Sequence, residues 1–359
     1  MATTRAAIFL GAGRPIEVRE IPLPRPRGEE ILVDVVACTL CGSDLHSIRG
    51  HRSVPVPTVL GHEILGRILE FGPEAPRIDA SGQPMTAGDR ITWAVVARCG
   101  DCFYCRRGLP QKCEHQTKYG HEPMKPGQEL TGGLAGHCLL APGTAAFVVP
   151  EGLPDAVACP SNCATATVAA AIEAAGPLSG ARVLVLGSGM LGLTAAAWAR
   201  SLGAEAVLCC DKDADRLARS SAFGATHQAG PEAIADLANE CSEGRGLDVV
   251  IELTGAPEAV ELGLPRLRMG GTLVLVGSVS PTRPVAMLPE QVVRRCLTIR
   301  GVHNYRPDHL GAALRFLESS AAAFPFGKLV GQWRPLSSLD GESDPAPAGG
   351  APRLGIRPD

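Results

Sequence analysis

The stretch VLVLGSGMLGLTAAAWARSLGA, residues 183–204, limits the folds open to this chain more than any other. A short apolar run predicts a strand. Gly187, Gly189 and Gly192 follow it with the spacing GxGxxG, and an Ala-rich helical pattern opens at Met190 and Leu191. Glycines are needed there for a tight turn, for close approach of a diphosphate to the backbone and for packing of helix on strand. The first helical amides then favour negative charge. The next apolar run, AVLCCD, ends at Asp211, nineteen residues past Gly192. A carboxylate at that point accepts hydrogen bonds from a ribose diol and repels a 2′-phosphate. The pattern reads as a site for NAD in preference to NADP, although Lys212, next in sequence, is able to tolerate a phosphate. The bland alternative is a glycine-rich turn in some other α/β domain, with Asp211 capping a helix.

Around this unit the texture of the chain changes twice. From residue 5 to about 150, β-rich runs such as EEILVDVVAC and GHEILGRILEFG are separated by Gly and Pro clusters, which predicts a twisted, mainly antiparallel β domain. After about residue 165, Ala-rich helical stretches alternate with ARVLVLG, AVLCCD, LDVVIEL and GGTLVLVGS, the pattern of a parallel sheet covered on both faces. Late in the chain PRLGIRP reads as one more short strand, preceded by a loop at residues 341–352, GESDPAPAGGAP. A length of 359 residues suits two domains. The formal charge of -3 offers no motive for binding nucleic acid or an anionic membrane. MATTRAAIFL lacks the apolar core of an export signal, so a cytoplasmic location is expected. Thirteen cysteines in a reducing compartment argue for metal or redox chemistry over disulfides.

The cysteine spacing sharpens that argument. CGDCFYCRRGLPQKC sets Cys99, Cys102, Cys105 and Cys113 at C-x2-C-x2-C-x7-C, enough thiolates to close a tetrahedral zinc site with no open position. Such a site braces a lobe, here residues 97–115, and does no chemistry itself. An iron-sulfur cluster and a disulfide-stapled loop are the competing readings. A zinc ribbon for nucleic acid is a further one, which the net charge does not favour.

A catalytic zinc needs about three protein ligands and a vacancy. CTLCGSDLHSIRG offers Cys41, VLGHEILG offers His62 with Glu63 beside it, and CPSNCATAT offers Cys163; two cysteines and a histidine form a recognised open set. In this reading Ser43 lies near a bound alkoxide and passes its proton towards cofactor hydroxyls and His46, while Asp44 orients the ring of His62. Lone cysteines are more often small buried hydrophobes, and Cys38, Cys138, Cys159, Cys209, Cys210, Cys241 and Cys296 are read so. His51, His115, His227 and His309 have no partner in the sequence that promotes them. Sequence separation alone cannot bring Cys41, His62 and Cys163 together.

Taken in order, CGSDLH, GHE, the four-cysteine loop, the cysteine of NCATAT, GxGxxG, the acidic strand end and an RLGI-like last strand resemble the zinc-dependent medium-chain alcohol dehydrogenase family over nearly the whole chain. The resemblance implies an α/β fold, with a Rossmann doubly wound parallel sheet at 165–302 inserted into a discontinuous GroES-like β-barrel catalytic domain at 1–164 and 303–359. It implies two zinc ions per chain, the catalytic one on Cys41, His62 and Cys163 with Glu63 close behind as an occasional ligand. Ser43 and His46 become the proton relay, and Arg353 reaches the cofactor diphosphate. Arg216, Asp248, Thr254, Gly277 and Val302 of the GVHNY stretch fall where family members approach the nucleotide. The implied reaction is reversible oxidation of an alcohol to an aldehyde or ketone with NAD, in a homo-dimer or homo-tetramer.

TKYGHE, GGLAGHCLLAPGT and GVHNYRP further resemble a bacterial branch of alcohol dehydrogenases associated with phosphonate catabolism. On that likeness an anionic substrate meets Lys118, His121, Lys125 or Arg306, charges that otherwise read as a solvated face. Trp93 and Tyr119 are pocket-wall candidates by position. Relatives usually carry a helix before the last strand, whereas the prolines and glycines of DGESDPAPAGGAP disfavour one, which predicts a looser edge beside Arg353. The rival functions are a polyol, sugar or hydroxyalkylphosphonate dehydrogenase of the same superfamily and a catalytically silent nucleotide-binding protein. Cys163 fits the alcohol ligand set better than the polyol set, where glutamate is common.

Overall fold

The computed structural model describes residues 2–359, apart from the side chain of Ala348. The chain forms two compact units: Met1–Cys163 with Arg306–Ala321 and Phe326–Asp359, and Ala164–Tyr305 with Ala322–Pro325.

The first unit is built on a seven-stranded sheet whose central member is Ile31–Leu40. Its sequence, ILVDVVACTL, is buried at nearly every position, and neighbours on both edges pair its backbone. Glu63–Phe71 pairs with it antiparallel along one edge, through two register shifts. Such shifts bend a strand and increase its twist. On the other edge His137–Leu140 takes residues 31–34, and Arg353–Arg357 takes residues 38–40. The RLGI strand foreseen near the end of the chain therefore lies against the end of the central strand. Val33, Ile64, Ile91, Trp93 and Leu354 fill the core between these strands. Smaller sheets complete the unit: Glu17–Pro22, Thr3–Phe9 and Thr58–Val59 form one, and Val96–Ala97 with Thr117–Lys118 the other.

The second unit has a six-stranded sheet, parallel throughout, in the spatial order His227–Ala229, Ala206–Cys210, Arg182–Leu186, Leu247–Glu252, Leu267–Leu275, Thr298–Gly301. The first strand in sequence lies inside the sheet, so the order reverses beside it, the doubly wound arrangement in which ligands bind at the carboxyl ends of the strands. Met190–Ser201 is the helix entered from the glycine turn, and its alanines are almost wholly buried. The fold is thus the GroES-like and Rossmann combination that the family resemblance implied.

The segment 341–352 contains one turn, at Ala348–Gly350, and no longer helix. It is not loose. Glu342 O accepts from Ile16 N at 2.8 Å, Gly341 N donates to Ile16 O at 2.9 Å, and ion pairs join Arg49 to Asp344 and Arg334 to Glu342. The proline and glycine content removed the helix, but side-chain and backbone bonds still fix the path. Among the described residues no helix is long and apolar enough to cross a membrane.

Candidate active site and metal centres

Strand register decides where the first cluster forms. Thr39 stands opposite Glu63, so Cys41, two residues beyond, and His62, one residue before, lie at the same end of an antiparallel pair. Cys163 arrives through Asn162, whose side chain accepts from Ile64 N at 3.3 Å and donates to His62 O at 3.0 Å and Trp93 O at 2.9 Å. The two Sγ atoms and a ring nitrogen of His62 lie within 4.8 Å of one another. His62 Nε2 is 3.3 Å from Cys163 Sγ, and Nδ1 is 3.1 Å from the Asp44 carboxylate. A carboxylate can only accept, so Nδ1 carries the proton and Nε2 presents its lone pair towards the thiols. Asp44 is itself held by the Cys41 amide, which donates to it at 2.9 Å.

The donor set fits zinc: two thiols and an imidazole, buried or nearly so, converging without a fourth ligand among the described residues. The hydrogen bond from Cys163 holds the Cys41 thiol well below its ordinary value, against burial and with help from the Arg353 charge. The same bond, then burial, pushes Cys163 up. With one proton shared between them, the pair already favours an anion at Cys41.

Arg353 departs from the expectation of a diphosphate contact. It stands next to Leu354, which pairs with Leu40, and so faces Cys41 across the ladder. Its Nε and Nη2 donate to Glu63 at 2.7 and 2.8 Å, Nη2 lies 3.6 Å from Cys41 Sγ, and Nη1 donates to Pro352 O at 3.1 Å. With every guanidinium nitrogen engaged and only 4% of the residue exposed, it is a buried counter-ion behind the cluster. Glu63, 0% exposed, is committed to Arg353 and to the Thr39 hydroxyl at 2.6 Å. Burial is the first cause of its raised pKa, opposed by Arg353.

Ser43 and His46 share the helix Gly42–Ile48. Ser43 Oγ lies 3.6 Å from Cys41 Sγ, whereas His46 is exposed and pairs with His51, Nδ1 to Nδ1 at 3.4 Å. Among the described residues no hydrogen bond joins Ser43 to His46. His51, which the sequence left unassigned, is thus a partner of His46.

The second cluster is the four-cysteine loop. Cys99, Cys102, Cys105 and Cys113 bring their Sγ atoms within 4.8 Å of one another, and all thirteen cysteines of the chain are free thiols. Cys99 N donates to Cys113 Sγ at 3.3 Å. Backbone amides of Glu114 and Cys105 hold Cys102 down to about 6. Amides directed at sulfur stabilise a thiolate at Cys102, and four thiols gathered in one loop suit a closed metal site.

In the second unit the glycine turn behaves as its spacing demands. Gly187 has φ of 98°, in the left-handed region, and a Cβ at Gly192 would run into the Gly187 carbonyl oxygen. At Gly189 a Cβ would meet nothing within 4 Å, since it faces a cavity of about 610 Å³. Asp211, Lys212, Arg216 and Thr254 line the same cavity. Met190 and Leu191 open the helix above it. Asp211 accepts from Ser188 N at 2.6 Å and from Asp213 N at 2.9 Å, which ties the strand end to the turn. Arg216 lies 3.6 Å from Asp213. Val302 N donates to Leu275 O at 2.8 Å, and Gly277 packs on the Gly255 backbone. These residues fit a dinucleotide: a glycine surface open to a cavity, a helix start and a carboxylate at the strand end.

Asp248 does not belong with them. It lies at the start of Leu247–Glu252, away from the carboxyl end, and serves Arg182 N at 2.7 Å and Arg268 Nε at 2.6 Å. The residue that matters at the far end is Glu252, 0% exposed, whose Oε1 accepts from Thr254 N, Thr254 Oγ1 and Gly255 N at 2.5, 2.7 and 2.6 Å. The sequence did carry a signal for it, an acid closing LDVVIEL as Asp211 closes AVLCCD.

The remaining candidates separate by location. Tyr119 is core rather than pocket wall, with its hydroxyl shared by Thr144 Oγ1 at 2.5 Å and Ala141 N at 2.9 Å. Trp93 packs edge-on against it and is fully buried. Lys125 is exposed and Arg306 is paired with Asp308 at 2.9 Å. Lys118 and His121 are half-buried, and the His121 ring lies against His62 with centroids 5.1 Å apart and planes tilted by 47°. Burial, then the charges of His62, Lys118 and Arg52, pushes His121 down to about 3.

Comparison with known proteins agrees with both units. Residues 27–151 match the alcohol dehydrogenase GroES-like domain, and residues 191–319 match the zinc-binding dehydrogenase family. A probable alcohol dehydrogenase of Mycobacterium tuberculosis is 33% identical over 359 residues, covering 95% of this chain and 96% of that protein. An L-threonine 3-dehydrogenase of Pyrococcus horikoshii is 29% identical, covering 81% of this chain and 80% of that one. The crystal structure of an alcohol dehydrogenase from Thermotoga maritima, 27% identical, superposes with a TM-score of 0.92 over 100% of both chains. The chain belongs to the zinc-dependent medium-chain alcohol dehydrogenase family and is an oxidoreductase of that kind.

Proposed function

We propose that this enzyme reversibly oxidises a primary or secondary alcohol to an aldehyde or ketone, with zinc held by Cys41, His62 and Cys163 and with NAD as the hydride acceptor. The observation that carries the reading is the convergence of the ligand atoms of those three side chains within 4.8 Å of one another, with no fourth ligand in the cluster among the described residues. When bound, zinc supplies Lewis acidity towards the alcohol oxygen and NAD takes the hydride. Asp44 keeps the proton of His62 on Nδ1 and leaves Nε2 as the donor atom. Ser43 Oγ, on the Cys41 side of the cluster, would take up the hydroxyl proton of the substrate and release its own towards cofactor hydroxyls and His46, which pairs with His51 and is exposed to solvent. Arg353 compensates the buried charge of Glu63 and Cys41.

A second zinc belongs to Cys99, Cys102, Cys105 and Cys113, where it braces the loop. NAD is the preferred dinucleotide because the cavity wall presents Asp211, although Lys212 and Arg216 share that wall. A GroES-like domain made of the segments 1–164 and 303–359 flanks, in sequence, a Rossmann domain of 165–302. Assembly as a homo-dimer or homo-tetramer is supported by Met269, Val279, Leu288 and Val293, apolar side chains more than 60% exposed in the nucleotide unit. The test is a screen of alcohols, polyols and hydroxyalkylphosphonates that follows NADH absorbance, with a metal count per chain. Two zinc ions and NAD-dependent turnover are expected; one zinc or none, with no turnover of any alcohol, refutes the reading.

A further inference from the structure

Glu252 ends the strand Leu247–Glu252, directly before Leu253 and Thr254, which line the nucleotide cavity. It is fully buried, and among the described residues no cation pairs with it. Withdrawing a carboxylate from water is costly unless hydrogen-bond donors replace the water. Here four do: Thr254 N, Thr254 Oγ1 and Gly255 N on Oε1, and Ser278 Oγ on Oε2 at 3.2 Å. The Glu252 carbonyl oxygen accepts two more, from Val276 N and Gly277 N, each at 3.0 Å. One buried residue thereby ties together the loops that leave two neighbouring parallel strands, Leu247–Glu252 and Leu267–Leu275.

Those bonds converge on the walls of the cavity. Thr254 Oγ1 donates to Glu252 and accepts from Ala256 N at 3.0 Å, so two bonds select one of the few rotamers open to a β-branched side chain. The methyl is then directed at the glycine turn, where a Cβ on Gly187 would come within 2.8 Å of Thr254 Cγ2. Gly255 and Gly277 meet backbone to backbone, and a Cβ on Gly277 would lie 2.4 Å from Gly255 N. Ala256 leads into the helix Pro257–Gly263, whose Ala259 and Leu262 line the cavity together with Leu253. The apolar wall of the cavity and its contact with the glycine turn are thus set by one carboxylate. A residue needed only to end the strand has no use for a buried charge, since an apolar side chain avoids the desolvation cost.

We propose that Glu252 is a positioning residue for the dinucleotide: through Thr254 it holds the apolar wall and the glycine turn in their binding arrangement before the cofactor arrives. The inference rests on the dinucleotide reading above and adds to it the group that preorganises the cavity. Preorganisation acts on affinity, because a loop that is already ordered loses less freedom on binding.

The test is NADH titration by fluorescence, with a thermal melt, on the zinc-loaded wild type and on Glu252→Ala, Glu252→Gln, Thr254→Val and Asp248→Ala. Glu252→Ala should raise the NADH dissociation constant by about 10- to 100-fold, the scale of two or three lost hydrogen bonds. Glu252→Gln keeps an acceptor oxygen for Thr254 and Gly255 and sets its amide against Ser278 Oγ, so it should recover most of that loss. Thr254→Val keeps the methyl beside Gly187 without the hydroxyl and should weaken NADH by about 3- to 10-fold. Added to Glu252→Ala it should change little further, because the two side chains act as one unit. Asp248→Ala breaks bonds at the opposite end of the same strand, and should lower the melting temperature while NADH affinity stays that of wild type. Wild-type affinity in both Glu252→Ala and Thr254→Val overturns the inference and leaves the dinucleotide reading standing. So does an Asp248→Ala loss as large as that of Glu252→Ala, which marks a general loosening of the sheet. Should Glu252→Ala not fold, Thr254→Val decides: weaker NADH binding at a melting temperature no lower than that of Asp248→Ala supports the clamp, and wild-type affinity overturns it. A wild type that binds neither NADH nor NADPH sinks the dinucleotide reading and this inference with it.

Discussion

Arg353 grips Glu63 through two hydrogen bonds, 2.7 and 2.8 Å long, between residues 290 positions apart in the chain. Both side chains are almost fully buried. Removing one partner from such a pair strands the other charge in the interior, at a cost of about 3–5 kcal/mol. Arg353→Ala is expected to lose stability on that scale in denaturant unfolding. The double replacement Arg353→Met with Glu63→Leu should recover most of it, because two apolar groups need no counter-charge. A single variant as stable as wild type contradicts the assignment.

The two cysteine clusters should separate in a metal count. Cys41→Ala is expected to retain the fold, release one zinc of two and abolish turnover. Cys102→Ala should release the other zinc and mainly lower the melting temperature, since a closed site braces structure. Plasma emission spectroscopy together with a thermal melt reads both; a Cys41→Ala enzyme that keeps two zinc ions and its rate contradicts the catalytic site.

Cofactor preference follows from Asp211, whose carboxylate lines the nucleotide cavity and is held by the amides of Ser188 and Asp213. Fluorescence titration should show NADH bound at least about 10-fold more tightly than NADPH, the scale of one charge-assisted interaction. Asp211→Ala should narrow the gap from both sides, weakening NADH and admitting NADPH. Equal dissociation constants in the wild type would remove the role given to the carboxylate.

Acid sensitivity should be visible at Asp79, 6% exposed, which accepts from Ser81 N, Ser81 Oγ, Gln83 N and Val148 N at 2.7–2.9 Å. Burial by itself pushes this carboxyl up; the Val148 amide, the Ser81 hydroxyl and the other donors win and hold it below the ordinary value. A depressed folded pKa stabilises the protein above the unfolded value of about 3.9 and ceases to do so as pH falls through the folded one. Asp79→Ala should therefore cost roughly 1–3 kcal/mol at neutral pH, and the gap in melting temperature to wild type should begin to narrow only below about pH 3.9 and go on narrowing as pH falls through the lower, folded value. A gap that persists unchanged at pH 3 rules out the ionic contribution.

What the amino-acid order determined by itself is everything set by local geometry. The GxGxxG turn needs glycine for its dihedrals and close contacts, the four-cysteine loop encloses its own cluster within fifteen residues, and Asp211 is placed by the strand it ends. The ligand types of the open cluster were legible too, as Cys41, His62 and Cys163, but their meeting was not. Tertiary structure decided that meeting, through the register that sets Thr39 opposite Glu63 and through the Asn162 side chain that anchors the turn before Cys163. It also turned Arg353 inwards onto Glu63 and set Glu252, rather than Asp248, at the carboxyl end of its strand. The physical reason is the same in each case. A charged side chain has several chemically equivalent partners along the sequence, and only packing decides which of them lies within bonding distance and which is left to water.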